Sequence, residues 1–326
     1  MELVAADIGG THARFAIASV ADGGKVTLQE LVKLKTDDFA SIRSAWEAFE
    51  NHLGRPAPNA AAIAIAGPVT GNIVQMTNNS WVIDTGRLDD QLGLESVTVL
   101  NDFAAVAHAV ANSTPDDFLD LCGPEAPLPA TGTISVLGPG TGLGVAHFFR
   151  SALGYRVQAT EGSHMDFAAV DAVEDSLLQR LRKRHRRVSI ERVVSGPGIV
   201  EIRAALAALE HRVVPDMDDK AIWQAGLDEA DSLCAAAVDR FCQSLGSVAG
   251  DYALAHGASG VVIAGGLGYR IRDRLVRSGF AERFTFKGRY EKMMTGIPVK
   301  LITHPEPGLF GAVHAFLQHH HGESAL

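Results

Sequence analysis

The chain has 326 residues, 47% of them hydrophobic, enough to bury a large core and long enough for about two domains. Aromatic residues make up only 6% against 33 glycines, which favours an Ala/Val/Gly-rich α/β architecture over an aromatic-rich β-sandwich. The net charge of −9 argues against nucleic acid as the main partner, which requires a basic face.

Strand-like runs are predicted at Leu3–Ala6, Ala13–Ser19, Val26–Leu34, Ala61–Ala66 and Val97–Leu100, then at Thr133–Leu137, Gly144–Phe149, Gly260–Ala264 and Val299–Thr303. Several are short, continuous and β-branched, as suits strands buried on both faces. Helices are predicted between them. Phe39–Leu53 carries Ile42, Trp46, Phe49 and Leu53 at helical spacing. Others are Asp102–Asn112, Asp171–His185, Pro197–Leu209, a long Asp228–His256 and a last one near Pro307–His319. The order β-β-β-α-β-α-β-α, followed by a second strand set and a helical block, predicts α/β with two sheet-based domains. Asn112–Ala130 is polar and proline-rich and reads as a boundary or surface excursion. A weak internal echo supports the division: Val4–Ile17 and Ile134–Phe148 both run strand, glycine-rich turn, strand.

Three cysteines, Cys122, Cys234 and Cys242, form no CxxC, a sparse count that fits reduced thiols. The N-terminus lacks a basic region followed by a long apolar one, and no run is long enough to span a membrane. A soluble, cytoplasmic protein is the expectation. The basic run Arg180–Arg187 ends a helix that begins with Glu174 and Asp175, so it complements the helix dipole and is expected as solvated surface. His319–His321 is expected as a frayed, exposed tail.

Three glycine-rich segments each follow an apolar strand: D-I-G-G-T at Asp7–Thr11, G-P-G-T-G-L-G at Gly138–Gly144 and A-G-G-L-G at Ala264–Gly268. They are predicted as turns whose backbone can approach a ligand closely and whose N–H groups can hold an anion. Asp7 would repel a bare phosphate, so it points to a cation such as Mg²⁺ bound together with phosphate oxygens. An ordinary hairpin is the plain alternative for the first. Neither a P-loop nor a strand-led G-x-G-x-x-G is present, which excludes the first and weighs against a Rossmann dehydrogenase. Asn101-Asp102 follows a strand and opens a helix, where a simple N-cap competes with a carboxylate for a hydroxyl substrate. E-G-S-H at Glu161–His164, and Glu191 before R-V-V-S-G-P-G, add acceptors and a few donors. Such a cluster suits a polyhydroxyl ring and rejects analogues lacking a hydroxyl.

Together D-I-G-G-T, L-N-D-F-A-A-V, G-T-G-L-G-V-A-H, E-G-S-H-M-D-F-A, E-R-V-V-S-G-P-G, V-V-I-A-G-G and the C-terminal P-G-L-F-G-A resemble the bacterial glucokinase family of the enteric type. The similarity runs in order through almost the whole chain. The related repressor–ORF–kinase group carries a Cys-rich zinc motif, and no C-x-C-G occurs here. The resemblance implies a two-domain actin-like ATPase (ribonuclease H-like) fold with a cleft between domains. The expected division is a small domain of 1–111 plus 304–326 and a large one of 112–303. It implies ATP-dependent phosphorylation of glucose to glucose 6-phosphate by a homodimer, with another hexose (mannose or fructose) or a sugar-sensing regulator as alternatives.

By position, Asp102 looks like the family's catalytic base, and Asn101, Asp102, Glu161, His164 and Glu191 like its glucose ligands. Ala6, Asp7, Ile8, Gly9, Gly10 and Thr11 look like the first phosphate loop, with Asp7 reaching Mg²⁺ through water. Gly138, Gly140, Thr141 and Gly142 look like the second loop, and Gly265 and Gly266 like part of the nucleotide site. His12, Thr160 and Ser163 stand where Asn, Gly and Gly are commoner, which touches loop geometry and fine sugar preference.

Overall fold

The computed structural model describes residues 1–67, 69, 71–76 and 79–322, and the chain divides into two units, Met1–Ser113 with His304–Leu326, and Thr114–Thr303. In the first unit, strands β1 (Glu2–Ile8), β2 (His12–Val20) and β3 (Val26–Lys35) form an antiparallel meander. Helix α1 (Ile42–Leu53) follows, started by a capping box between Ser41 and Ser44 and stopped at Gly54. Strand β4 (Ala60–Ile65) then runs parallel to β1. A small hairpin, β5 (Ile73–Gln75) and β6 (Val82–Asp84), and helix α2 (Leu88–Leu92) lead to β7 (Ser96–Asn101), parallel to β4, and helix α3 (Asp102–Asn112).

The second unit opens with β8 (Phe118–Cys122), β9 (Gly132–Pro139), β10 (Leu143–Ser151) and β11 (Gly154–Thr160). Helices α4 (Ala172–Arg182), α5 (Gly198–Leu209), α6 (Asp219–Leu227) and the long α7 (Ser232–Ala255) follow. Strand β12 (Ala258–Ile263) precedes four short helices, α8 (Gly265–Arg270), α9 (Arg272–Arg277), α10 (Phe280–Thr285) and α11 (Glu291–Met294), and then β13 (Val299–Ile302). The chain returns to the first unit as α12 (Pro307–Gly322).

The two main sheets have one plan. The first has the order β3-β2-β1-β4-β7, and the second runs β11-β10-β9-β12-β13 with β8 added antiparallel at its edge. In each, two antiparallel hairpin partners are joined to parallel strands laid down later in the chain. The central strands need cover on both faces. All of A-A-A-I-A-I in β4 is buried. One face of the first sheet meets Trp46 and Phe49 of α1, with Phe49 stacked on Phe15 at 5.3 Å between ring centroids. The other, small-residue face of Leu3, Ala5, Ala16, Ala18 and Ala62 meets Leu309, Ala312, Val313 and Phe316 of α12.

Several expectations are corrected. Asn112–Ala130 is not merely a loop, because it contains β8, whose pairing with β13 is invisible in a proline-flanked run. Ala264–Gly268 is not a free turn: Gly265 takes a left-handed φ of +83° and starts helix α8. The segment His319–His321 is not frayed, since α12 extends to Gly322 and His320 packs on Phe316 at 4.1 Å and lies 3.1 Å from Thr98 Oγ1. Arg182, Lys183, Arg184, Arg186 and Arg187 of the basic run are exposed as expected, Arg184 paired with Glu201 and Arg187 with Asp166, whereas Arg180 and His185 are half-buried. The three cysteines are free thiols.

Candidate active site

The first glycine turn links β1 to β2. Gly9 N–H donates to His12 O at 2.9 Å and closes it. Thr36 then holds the turn from behind, its hydroxyl donating to Gly10 O at 2.8 Å and its N–H to Thr11 O at 3.1 Å. Among the described residues, neither the Gly10 nor the Thr11 N–H meets an acceptor. Two successive outward N–H groups form the kind of concavity that takes an anion. Ala6 and Ile8 are fully buried, so they contribute only backbone to this turn. His12 faces Lys35 across β2 and β3, and slight burial together with the Lys33, Arg14 and Lys35 charges lowers its pKa.

Asp7 lies opposite Arg14 in the hairpin, with Arg14 Nη1 3.2 Å from Asp7 Oδ2. Arg14 Nε also lies 3.8 Å from Glu306 Oε2. The start of α12 abuts the same carboxylate: a Cβ on Gly308 would lie 3.1 Å from Asp7 Oδ2. Burial pushes the Asp7 pKa up, and the Arg14 guanidinium pulls it back only in part. A raised carboxyl pKa favours the folded state below the ordinary carboxylate range, and that contribution is lost as pH rises through the folded value. Ionised Asp7 therefore costs stability at neutral pH. Asp7→Asn is expected to raise Tm at pH 7 and to lose the advantage in acid, below about pH 4. Paired melting curves at both pH values check this, and a lower Tm than wild type at pH 7 would overturn it.

Asn101 ends β7 and Asp102 begins α3. The Asn101 side chain caps the helix, its Oδ1 accepting from Phe103 N at 2.9 Å and Ala104 N at 3.0 Å. Its Nδ2 donates to Gly67 O at 3.0 Å. The capping role weighed against a sugar role in the sequence is thus real for Asn101, and leaves one amide hydrogen for a ligand. Asp102 Oδ1 accepts from Phe103 N at 2.8 Å. Register places Ile8, Ile65 and Asn101 in one row across β1, β4 and β7. The Gly9 turn and Asp102 therefore leave the same edge of the sheet two strand spacings apart, roughly 10 Å.

The second glycine turn joins β9 to β10 in the second unit. Gly140 N–H donates to Gly142 O at 2.8 Å, and among the described residues the Thr141 and Gly142 N–H groups meet no acceptor. The helix start at Gly265 lies against this turn. Ala264 N–H donates to Leu137 O at 2.7 Å, and a Cβ on Gly265 would lie 2.9 Å from Pro139 O. Gly266 has open space where a Cβ would stand, and Gly138 is the last residue but one of β9.

Glu161 precedes and His164 ends a single 3₁₀ turn, Gly162–His164, with His164 Nε2 3.9 Å from Glu161 Oε2 and both side chains more than half exposed. Thr160 steadies the entry, its Oγ1 accepting from Gly162 N at 3.2 Å and donating to Val145 O at 3.3 Å. Ser163 is buried. The exit is tied to residues 187–190. Phe167 N–H donates to Val188 O at 3.0 Å, Ile190 N–H to Met165 O at 2.8 Å, and Arg187 bonds His164 O and the Asp166 carboxylate. Glu191 follows directly, and its Oε2 accepts from Leu143 N at 3.0 Å. The structure thus gathers Glu161, His164, Glu191 and the second glycine turn in one unit, and Asp7, the first turn, Asn101 and Asp102 in the other. Sequence reasoning missed Arg14, Thr36 and Arg187. Arg14 was within reach, because a tight turn after Ile8 fixes which residue faces Asp7. Thr36 lies too far along the chain to be paired with the turn by spacing.

The match to known proteins follows the same lines. A family model described as Glucokinase matches residues 4–319. The glucokinase of Zymomonas mobilis is 54% identical over 316 residues, covering 97% of this chain and 98% of that protein. That of Photorhabdus laumondii is 38% identical over 308 residues, covering 94% of each. Among solved structures, the glucokinase from an Antarctic psychrotroph superposes with a TM-score of 0.84 at 34% identity, covering 96% of this chain and 98% of that one. A glucokinase of the repressor–ORF–kinase group from Streptomyces griseus, solved with glucose and AMPPNP, gives 0.60 at 17% identity over 96% and 98%, a likeness of fold alone. Two sheets of one plan, each with a glycine turn at a strand end, define a sugar kinase of the actin-like ATPase fold. Within that class the chain belongs to the glucokinase family, whose members phosphorylate glucose.

Proposed function

We propose that the chain transfers the γ-phosphoryl group of ATP to the 6-hydroxyl of glucose, with Asp102 as the base. The observation that carries this reading is the shared C-terminal end of the sheet, where the turn after Ile8, whose Gly10 and Thr11 N–H groups meet no acceptor among the described residues, and the backbone of Asp102 leave strands about 10 Å apart. That spacing leaves room for a phosphoryl group between an anion cradle and a proton acceptor. Glucose takes its hydroxyl contacts from Asn101 and Asp102 and from Glu161, His164 and Glu191. Asp102 orients the 6-hydroxyl and accepts its proton as the new P–O bond forms. Phosphoryl transfer asks little covalent work of the protein, so positioning and charge stabilisation do the rest. The N–H groups of Gly10, Thr11, Thr141 and Gly142 are the available donors for phosphate oxygens.

Mg²⁺ fits this donor set in one way. No group of three or more ligating side chains occurs among the described residues. Asp7 supplies one carboxylate, and Mg²⁺ commonly rests on one or two carboxylates, water and substrate phosphates. Bound so, it would neutralise charge on the phosphate oxygens. Among the described residues no helix is long and apolar enough to cross a membrane. We read the enzyme as a cytoplasmic homodimer, in keeping with its acidic composition and free thiols and with the family it belongs to.

The test is ADP release from purified protein with ATP and Mg²⁺ across a panel of glucose, mannose and fructose. Glucose is expected to give the highest kcat/KM. Equal or better turnover of another hexose would replace glucose as the substrate, and sugar binding without turnover would make the chain a sensor.

A further inference from the structure

The glycines of G-P-G-T-G-L-G do not have one job. A Cβ on Gly140 would meet nothing within 4 Å, so its face is open. A Cβ on Gly142 would run into the Glu191 carboxylate, overlapping Oε2 and lying 3.1 Å from Cδ. The same Oε2 accepts the Leu143 N–H at 3.0 Å. One step further along, Gly196 N–H donates to Gly140 O at 2.7 Å. Residues 187–196 thus form a strap. It is pinned at one end to the loop of Glu161 and His164 through Phe167–Val188 and Met165–Ile190, in its middle to Leu143, and at its far end to Gly140.

We propose that Gly142 and Leu143 are positioning residues of the sugar site: Gly142 lacks a side chain so that the Glu191 carboxylate can sit on the turn, and the Leu143 N–H fixes its Oε2. The inference rests on the reading of Glu191 as a glucose ligand and adds what aims it. With Oε2 held by the backbone, Oε1 is the oxygen left to accept from a sugar hydroxyl. A carboxylate seated by a charge-assisted bond loses less freedom on binding than one swinging from a loop. The seat also places the sugar ligand beside the turn that carries the Thr141 and Gly142 N–H groups.

Calorimetry with glucose alone and with AMPPNP alone separates this from a phosphate role for Gly142. In Gly142→Ala the new methyl occupies the carboxylate's place. Glucose Kd is expected to rise about 10- to 100-fold, the loss of one hydrogen bond to a charged group, while the AMPPNP Kd stays within about threefold because alanine keeps the backbone N–H of position 142. Glu191→Ala is expected to weaken glucose to a similar degree. It also clears the overlap, so the double variant Gly142→Ala/Glu191→Ala folds even where the single one is compromised. Adding Gly142→Ala to Glu191→Ala is expected to change neither constant. A weaker AMPPNP Kd in the double variant, or additive losses in glucose binding, would overturn the proposal. Wild-type glucose affinity in Glu191→Ala would instead remove Glu191 from the sugar site, and the proposal with it.

Discussion

Asp102→Asn is expected to lower kcat by about 10²- to 10⁴-fold, the usual worth of a positioned general base, with glucose Kd changed only a few-fold. The substitution is nearly isosteric, and an asparagine Oδ1 can still accept from Phe103 N as Asp102 Oδ1 does at 2.8 Å. The start of α3 is secured separately by Asn101, which caps Phe103 N and Ala104 N. What disappears is the proton acceptor and one negative charge at a helix N-terminus, the latter worth about 0.3–1 kcal/mol of stability at most exposed sites. A Tm close to wild type with a collapsed kcat is therefore the signature of a chemical role. Steady-state turnover and glucose calorimetry on the same preparation decide it, and near-wild-type kcat would end the assignment.

Gly311→Ala is expected to destabilise the protein markedly although it adds a single methyl group. Helix propensity alone argues the other way, since alanine is favoured over glycine by about 1 kcal/mol in a helix interior. Packing reverses the sign. A Cβ on Gly311 would overlap the Ala105 carbonyl outright and lie 2.7 Å from Ala109 N, both rigid backbone of α3. Overpacking of a well-filled core costs about 1–3 kcal/mol, and here no side chain can swing aside, which places the cost at or above the upper end. The net effect is a fall in Tm of several degrees. Because α3 begins at Asp102, pushing the helices apart also displaces the carboxylate proposed as the base, so kcat should fall with Tm. Thermal melts and turnover measured together check both, and a raised Tm would show that propensity outweighs packing at this crossing.

Local chemistry made most of the framework readable. The apolar runs before each glycine segment appear as β1, β9 and β12, and Asp102–Asn112 appears as α3 with the same limits. What escaped was set by tertiary pairing. Strand β11 is polar and exposed along much of its length, and it is a strand because β10 offers it an edge. Its place was nonetheless implied by the repeat noticed in the two hairpins, for it stands in the second sheet where β3 stands in the first. Helices α8 to α11 are too short for a helical period to emerge from the sequence. In the site, residue types were legible and contacts were not. Nothing in G-T-G-L says that Glu191, 48 positions later, rests on it.

The return of the chain to its first unit has a consequence for synthesis. The small-residue face of β1, β2 and β4 is covered by Leu309, Ala312, Val313 and Phe316 of α12. That helix leaves the ribosome after the whole of Thr114–Thr303 has been made. At roughly 5–20 residues per second, translating the intervening segment of about 200 residues takes some 10–40 s. Throughout that interval the N-terminal sheet has an apolar face without its α12 cover, and by the end of it the continuous middle unit has every strand of its own sheet. The nascent chain therefore completes its second unit before its first. The waiting alanine-rich face is the surface on which a chaperone would act, or on which two half-made chains would aggregate.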